Sequence, residues 1–175
     1  MTSFNPDHLI EQLRTTPRAI RALIENMSAD HARWKPDAEH WSVLEIVNHL
    51  ADEETRDFAA RLRSTLEDPS RQWAGIDPPA WAIDEDYNSR DLAESLARFE
   101  TARAASLDWL KTLQQPGWNN VYTHPSLGDI RAGDLLAAWA IHDLLHLRQL
   151  TKRCFQLAQQ ASDGFSTRYA GEWTA

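Results

Sequence analysis

The chain has little of several things that define other protein classes. Among 175 residues there is one cysteine, Cys154, so no disulfide framework can form and a reducing compartment is the natural setting. Glycine is scarce, with six residues, and no segment alternates Val, Ile or Thr with polar residues, so the composition favours helices over sheet. No apolar run approaches the ~18 residues that a membrane span requires. The opening MTSFNPDHLI has no basic segment followed by an apolar stretch, so no secretory signal is expected and the expected location is cytoplasmic. Lys and Arg form no run, and 26 acids against 18 bases leave a net charge of −8. Such a surface repels phosphate backbones and anionic lipid, so neither a nucleic acid nor a membrane is an expected partner. GxSxG, P-loop, HExxH and CxxC patterns are missing too, which removes several nucleophile, nucleotide and metal classes.

What is there is an ordinary globular composition, 42 % hydrophobic and 25 % charged, in a length that suits one domain over residues 1–175. The patterning predicts four long helices. The first opens at Asn5-Pro6 and carries apolar residues from Leu9 to Met27 at helical spacing, with a kink or brief break expected near Thr15-Thr16 because of Pro17. The second begins at WSVLEI, where Ser42 and Glu45 form a capping box and Trp41 and Ile46 a hydrophobic staple, and runs to about Leu66. Residues 68–87 follow with three prolines and no periodicity, a connection long enough to suggest function. The third helix runs from near Asn88-Ser89 to Pro116-Gly117, and the fourth from about Ala132 to Gln160, with 118–131 read as a loop. In the tail, 161–175, Tyr169 and Trp173 are expected to dock on the body. The fold class is therefore all-α, a four-helix bundle. Eight tryptophans suit either a bulky core or an aromatic-walled pocket.

The stretch AAWAIHDLLHLRQL, residues 137–150, sets His142 and His146 one turn apart on a face shared with Leu135, Trp139, Gln149 and Arg153. Two such imidazoles can bind one divalent ion, but a stable site wants a third protein ligand. They can equally be packed core histidines, and spacing alone leaves both readings open. His49, two turns into the second helix with Glu45 and Glu53 on either side, is the candidate third ligand if the second and fourth helices are neighbours. Glu45, Glu53 and Asp143 are candidates for fixing imidazole tautomers or relaying a proton, and Gln149 for contacting an open coordination position. Each has a plainer reading: Glu45 as a helix cap, Glu53 and Asp143 as solvent-facing charges. His8, His31 and His40 read as solvated and His124 as a turn residue. Cys154 lies about 12 Å beyond His146 by helical rise, too far to share the ion.

The motifs HWSVLEIVNHLADEE (40–54) and GDLLAAWAIHDLLHLRQL (133–150), with the terminal RYAGEW (168–173), resemble the DinB/YfiT-like family of metalloenzymes, and the likeness spans nearly the whole chain. The resemblance implies an up-down-down-up bundle, which accounts for the long crossover between the second and third helices. It also implies a metal-ligand role for His49, His142 and His146, with zinc, nickel, iron or manganese as the ion, and a homodimer as in many relatives. Its known activities imply a small-molecule substrate and a low-molecular-weight thiol cosubstrate. The leading expectation is thus a metal-dependent thiol S-transferase or isomerase. A metal-dependent hydrolase using the same ion is the alternative, and a non-enzymatic metal-binding or dimerisation bundle the third.

Overall fold

A computed structural model describes residues 3–173. The side chain of Asn5 accepts the His8 N–H and opens helix α1 (Pro6–Ile24). This helix runs unbroken through Pro17, so the break expected near Thr15-Thr16 does not occur. Proline lacks the N–H that would bond the carbonyl four residues back. Here that carbonyl, on Leu13, accepts instead from Arg103 Nη1 at 2.7 Å. A short helix α2 (Ala29–Arg33) follows. The Ser42–Glu45 capping box, present in both directions, starts α3 (Val43–Arg56).

The second predicted helix is not continuous to Leu66. Asp57 leaves helical geometry (φ −125°, ψ −99°) and the chain resumes as α4 (Phe58–Glu67). The crossover is less irregular than its prolines suggest. It holds α5 (Pro78–Asp84), capped by Asp77, and a 3₁₀ turn at Tyr87–Ser89. The buried Tyr87 donates its hydroxyl to Asp52 of α3, which pins the crossover to the bundle. Helix α6 (Leu92–Thr112) begins after the Asp91 cap, slightly later than its sequence signal.

The segment read as a loop contains a hairpin of β1 (Val121–His124) and β2 (Gly128–Arg131), paired antiparallel from Val121–Arg131 to His124–Gly128. Its strands are too short to show alternation. The three-residue turn closes on Gly128 at φ +75°, the positive-φ position such a hairpin needs. Tyr122 turns inward and stacks on Trp73 (3.9 Å, 17°). Helix α7 (Ala132–Ala161) then spans the molecule. Of the two aromatic residues expected to dock in the tail, Trp173 packs on Phe155 while Tyr169 is fully exposed.

Side-chain contacts define the helix directions. Asn48 meets Ser95, Asp52 meets Arg98 and Glu54 meets Arg103, so α3 and α6 run parallel. Parallel neighbours require a crossover, which the 57–91 segment supplies. Trp41 meets Arg153, His49 meets His142 and Glu54 meets Trp139, so α3 and α7 run antiparallel. Phe4 lies against Gly133, and Leu23 and Met27 share a cavity wall with Cys154 and Leu157, so α1 runs parallel to α7. The order is up-down-down-up. No helix among the described residues is long and apolar enough to cross a membrane.

Two apolar clusters fill the bundle. One gathers Ile20, Ile24, Val47, Leu50, Leu96, Phe99 and Leu150, the other Leu13, Leu62, Leu110, Leu136 and Trp139. Between them lies a polar layer centred on Arg103, itself 2 % exposed. Its guanidinium bonds Asp143 at 2.6 and 2.9 Å, Glu54 at 2.6 Å and the Leu13 carbonyl, while Glu54 also accepts from Trp139 Nε1 at 3.0 Å. Burial pushes Glu54 and Asp143 above the usual carboxylate range and Arg103 pulls both back. Replacing Arg103 by Met leaves two buried carboxyls without their counter-charge. Urea unfolding at neutral pH should show a loss of about 3–5 kcal/mol. The deficit should shrink as the pH falls toward the usual carboxylate range, where those carboxyls take up protons.

Candidate metal centre

The antiparallel packing of α3 and α7 brings His49 opposite His142 and His146. His142 Nε2 lies 3.4 Å from His49 Nε2 and 3.1 Å from His146 Nε2, and one nitrogen from each ring falls within 4.8 Å of the others. The sequence-predicted triad is therefore assembled. Gln149 Oε1 accepts from His146 Nδ1 at 2.8 Å, which places that ring's proton on Nδ1 and leaves Nε2 a bare lone pair. Glu53 Oε1 lies 3.4 Å from His49 Nδ1, an atom that is buried and makes no other polar contact. His142 Nδ1 is likewise buried without a hydrogen bond.

Electrostatics keep all three rings neutral. Burial, reinforced by the neighbouring imidazoles, lowers His49 to about 2. Burial, His146 and the Arg103 guanidinium lower His142 to about 3, and burial lowers His146, with Gln149 opposing. Converging neutral imidazole nitrogens are what a divalent cation needs as ligands. Aromatic residues wall the cluster: Trp41 stacks on His146 (6.3 Å, 10°) and stands edge-on to His49 (4.8 Å), and Phe58 tilts over His142 (5.0 Å). On the remaining side a cavity of about 380 Å³ opens, lined by His142, Leu145, His146 and Gln149 and, farther out, by His40, Arg148, Lys152 and Arg153.

Of the other predicted residues, Glu53 is buried rather than solvent-facing, and it is joined to Asp57 one turn on. Burial and the Asp57 carboxyl raise Glu53 to about 8, so Glu53 carries the proton and donates it to Asp57. Asp57 is paired in turn with Arg61 at 2.9 Å. Glu45 follows its plainer reading: one oxygen takes the Ser42 N–H and the other Lys35 Nζ. Asp143 is neither solvent-facing nor on an imidazole, since Arg103 holds both its oxygens. His8, His31 and His40 are exposed, and His124 accepts two turn N–H groups, as read. Sequence reasoning missed Asp57, which has no local signal. It also missed Glu54 and Arg103, which had one: Arg103 interrupts the core series Leu92, Leu96, Phe99, Arg103, Ser106, Leu110.

A four-helix bundle with three histidines converging from two antiparallel helices, beside an accessible cavity, is a scaffold for a metalloenzyme. The chain belongs to the DinB superfamily, whose family model matches residues 12–150. It is 23 % identical over 145 residues to a protein of Oceanobacillus iheyensis named "putative metal-dependent hydrolase", with 83 % of each chain covered. It is 23 % identical over 151 residues to YfiT of Bacillus subtilis, which bears the same description, with 84 % of each covered. The solved structure of Bacillus subtilis YfiT matches with a TM-score of 0.79 at 21 % identity over 90 % of each chain. That protein is described as a probable metal-dependent hydrolase with an unusual four-helix bundle topology.

The depressed imidazoles carry a stability signature. Below about pH 6.5 the unfolded chain binds protons that the native rings refuse, so stability is full above that pH and falls beneath it, by about 1.4 kcal/mol per pH unit for each such imidazole. Imidazole ¹⁵N NMR of the chelated protein should show the His49 and His142 rings neutral from pH 8 down to about pH 5 and the His146 ring titrating below its ordinary value. Protonation of any of them near its ordinary value would mean the rings are not packed as described.

Proposed function

We propose that the chain is a metal-dependent hydrolase of small molecules, with His49, His142 and His146 holding one divalent ion. The observation that carries this reading is the convergence of three neutral imidazole nitrogens within 4.8 Å of one another, with no carboxylate among the described residues grouped with them there. The adjoining cavity supports a coordination position open to small molecules, as in catalytic rather than structural sites. The descriptions carried by the relatives agree with hydrolysis. Thiol transfer, the leading expectation from family resemblance, takes its sulfur from a cosubstrate, since Cys154 lines a different cavity with Met27 and Leu157, and the relatives' descriptions do not name it.

When bound, the ion supplies Lewis acidity toward a substrate carbonyl and acidifies water. The protein's own residues supply the rest. Gln149 orients His146 through Nδ1 and sits at the cavity wall beside it. Glu53 and Asp57 share a proton next to His49, a pair able to hold or return a proton at Glu53 Oε1 as charge develops at the centre. Trp41 and Phe58 cover the rings and exclude water from the sides away from the cavity.

Elemental analysis of the purified or reconstituted protein should give one equivalent of divalent metal, and none in His49→Ala or His142→Ala. Gln149→Leu should weaken metal binding about 10–100-fold without unfolding the bundle. A wild type that holds no divalent ion after reconstitution would end the reading. Ester or amide turnover should proceed without added thiol and stop on chelation. An absolute requirement for a thiol cosubstrate would transfer the assignment to thiol chemistry.

A further inference from the structure

The molecule buries two arginines almost completely, and their surroundings differ. Arg103 faces two carboxylates. Arg153, 1 % exposed, faces none: its Nε donates to the Trp41 carbonyl at 2.8 Å and its Nη1 to Gln156 Oε1 at 2.6 Å, both neutral acceptors. Its Nη2 makes no hydrogen bond among the described residues. Asp37 acts on it only through space, and that carboxylate is bound to His40 at 2.6 Å. A buried charge with no counter-charge is unfavourable, and an anion bound beside it would offset that cost.

Arg153 lines the cavity that opens beside His142 and His146. So do Arg148 and Lys152, one turn apart, exposed, and without an ion-pair partner among the described residues. Among the described residues no carboxylate lines that cavity. In a chain of net charge −8, a wall with three cationic side chains and no acid beside the candidate centre is a selective feature. Seven residues separate His146 from Arg153, about 10 Å along α7. A small molecule in the cavity can therefore reach both the imidazole cluster and the guanidinium.

We propose that Arg153, with Arg148 and Lys152 at the rim, forms an oxyanion subsite that selects substrates carrying a carboxylate or phosphate at the end remote from the scissile bond. The proposal rests on reading the three-histidine cluster as the reacting centre, and it narrows the substrate to small anionic esters or amides. With Nε and Nη1 engaged, Nη2 is the guanidinium nitrogen left to donate to an oxygen of either group. Arg153 does not touch the reacting bond; it binds and positions.

The test is calorimetric titration of the full chain with succinate and, separately, with inorganic phosphate, both as purified and after chelation. The chelated arm removes anion binding to metal. Saturable binding in the millimolar range is expected to survive chelation. It should weaken about tenfold in Arg153→Gln, whose amide can still donate to the Trp41 carbonyl. It should weaken about threefold in Arg148→Ala/Lys152→Ala, two exposed positions that keep the test valid if the buried variant fails to fold. Which anion binds tighter separates a carboxylate substrate from a phosphorylated one. Absence of saturable binding by both anions after chelation overturns the subsite, as does binding unchanged in a folded Arg153→Gln or in the rim variant. In that case Arg153 is only a clamp on the Trp41 carbonyl. The two readings fail separately: neutral esters turned over without anion binding would sink the subsite alone. Anion binding with no turnover of neutral p-nitrophenyl butyrate or anionic p-nitrophenyl hemisuccinate would sink the hydrolase reading alone.

Discussion

The guanidinium of Arg103 is the point where the four long helices of the bundle meet. It sits on α6, bonds carboxylates on α3 and α7, and caps the carbonyl that Pro17 leaves open in α1. Buried ion pairs seldom stabilise a fold more than well-packed apolar residues of the same volume would. Their better-attested effect is on register, because an apolar core tolerates slippage that a three-way hydrogen-bonded charge does not. A half-turn rotation or one-turn slide of α7 against α3 would leave Glu54, Asp143 or Arg103 buried and alone. The same slide would separate His49 from His142 and His146. The polar layer and the histidine cluster are thus two consequences of one alignment.

Adjacent residues divide the work on both helices. Glu54 faces Arg103 and Trp139, while Glu53, about 100° away around α3, faces His49 and Asp57. Asp143 faces Arg103, while His142 faces His49. His142 is therefore neighboured in sequence by a residue locked into the charge layer, as is Glu53 beside His49, which restricts backbone rotation at these two positions. The break at Asp57 serves this arrangement too. Helical spacing already sets Asp57 beside Glu53, four residues on, and the departure from helical geometry at Asp57 redirects α4, with Phe58 over His142.

Much of this was legible before any coordinates. The capping box at Ser42, the four helical periods, the crossover length and the three histidines all rest on local signals, and local signals survive folding. The misreadings share a different cause. Pro17 predicts a broken helix only if its lost hydrogen bond goes unreplaced, and the replacement comes from a residue 86 positions away in another helix. Asp143 reads as solvent-facing only if its partner is unknown. Yet the heptad-like spacing of Val47, Leu50 and Glu54, of Leu96, Phe99 and Arg103, and of Leu136, Trp139 and Asp143 puts each charged residue where an apolar one is due. One positive and two negative charges on three core stripes can satisfy one another, and their combination was a readable signal. The hairpin at 121–131 and the break at Asp57 were not readable, because four-residue strands and single-residue dihedral changes carry too little pattern.

The distribution of charge separates structure from function within one bundle. At Arg103 the protein supplies both partners, one guanidinium and two carboxyls, buried inside the bundle. At the imidazole cluster it supplies lone pairs without a cation, and at Arg153 a cation without an anion. His142 and His146 of the one group and Arg153 of the other line one cavity from α7, with Gln149 between them. Incompleteness of opposite sign at two places in a single cavity is not a packing requirement, since the neighbouring layer shows that this fold can pair its own charges. With a divalent ion held by the imidazoles, it matches a ligand that has an electron-rich group to offer at one end and a negative charge at the other.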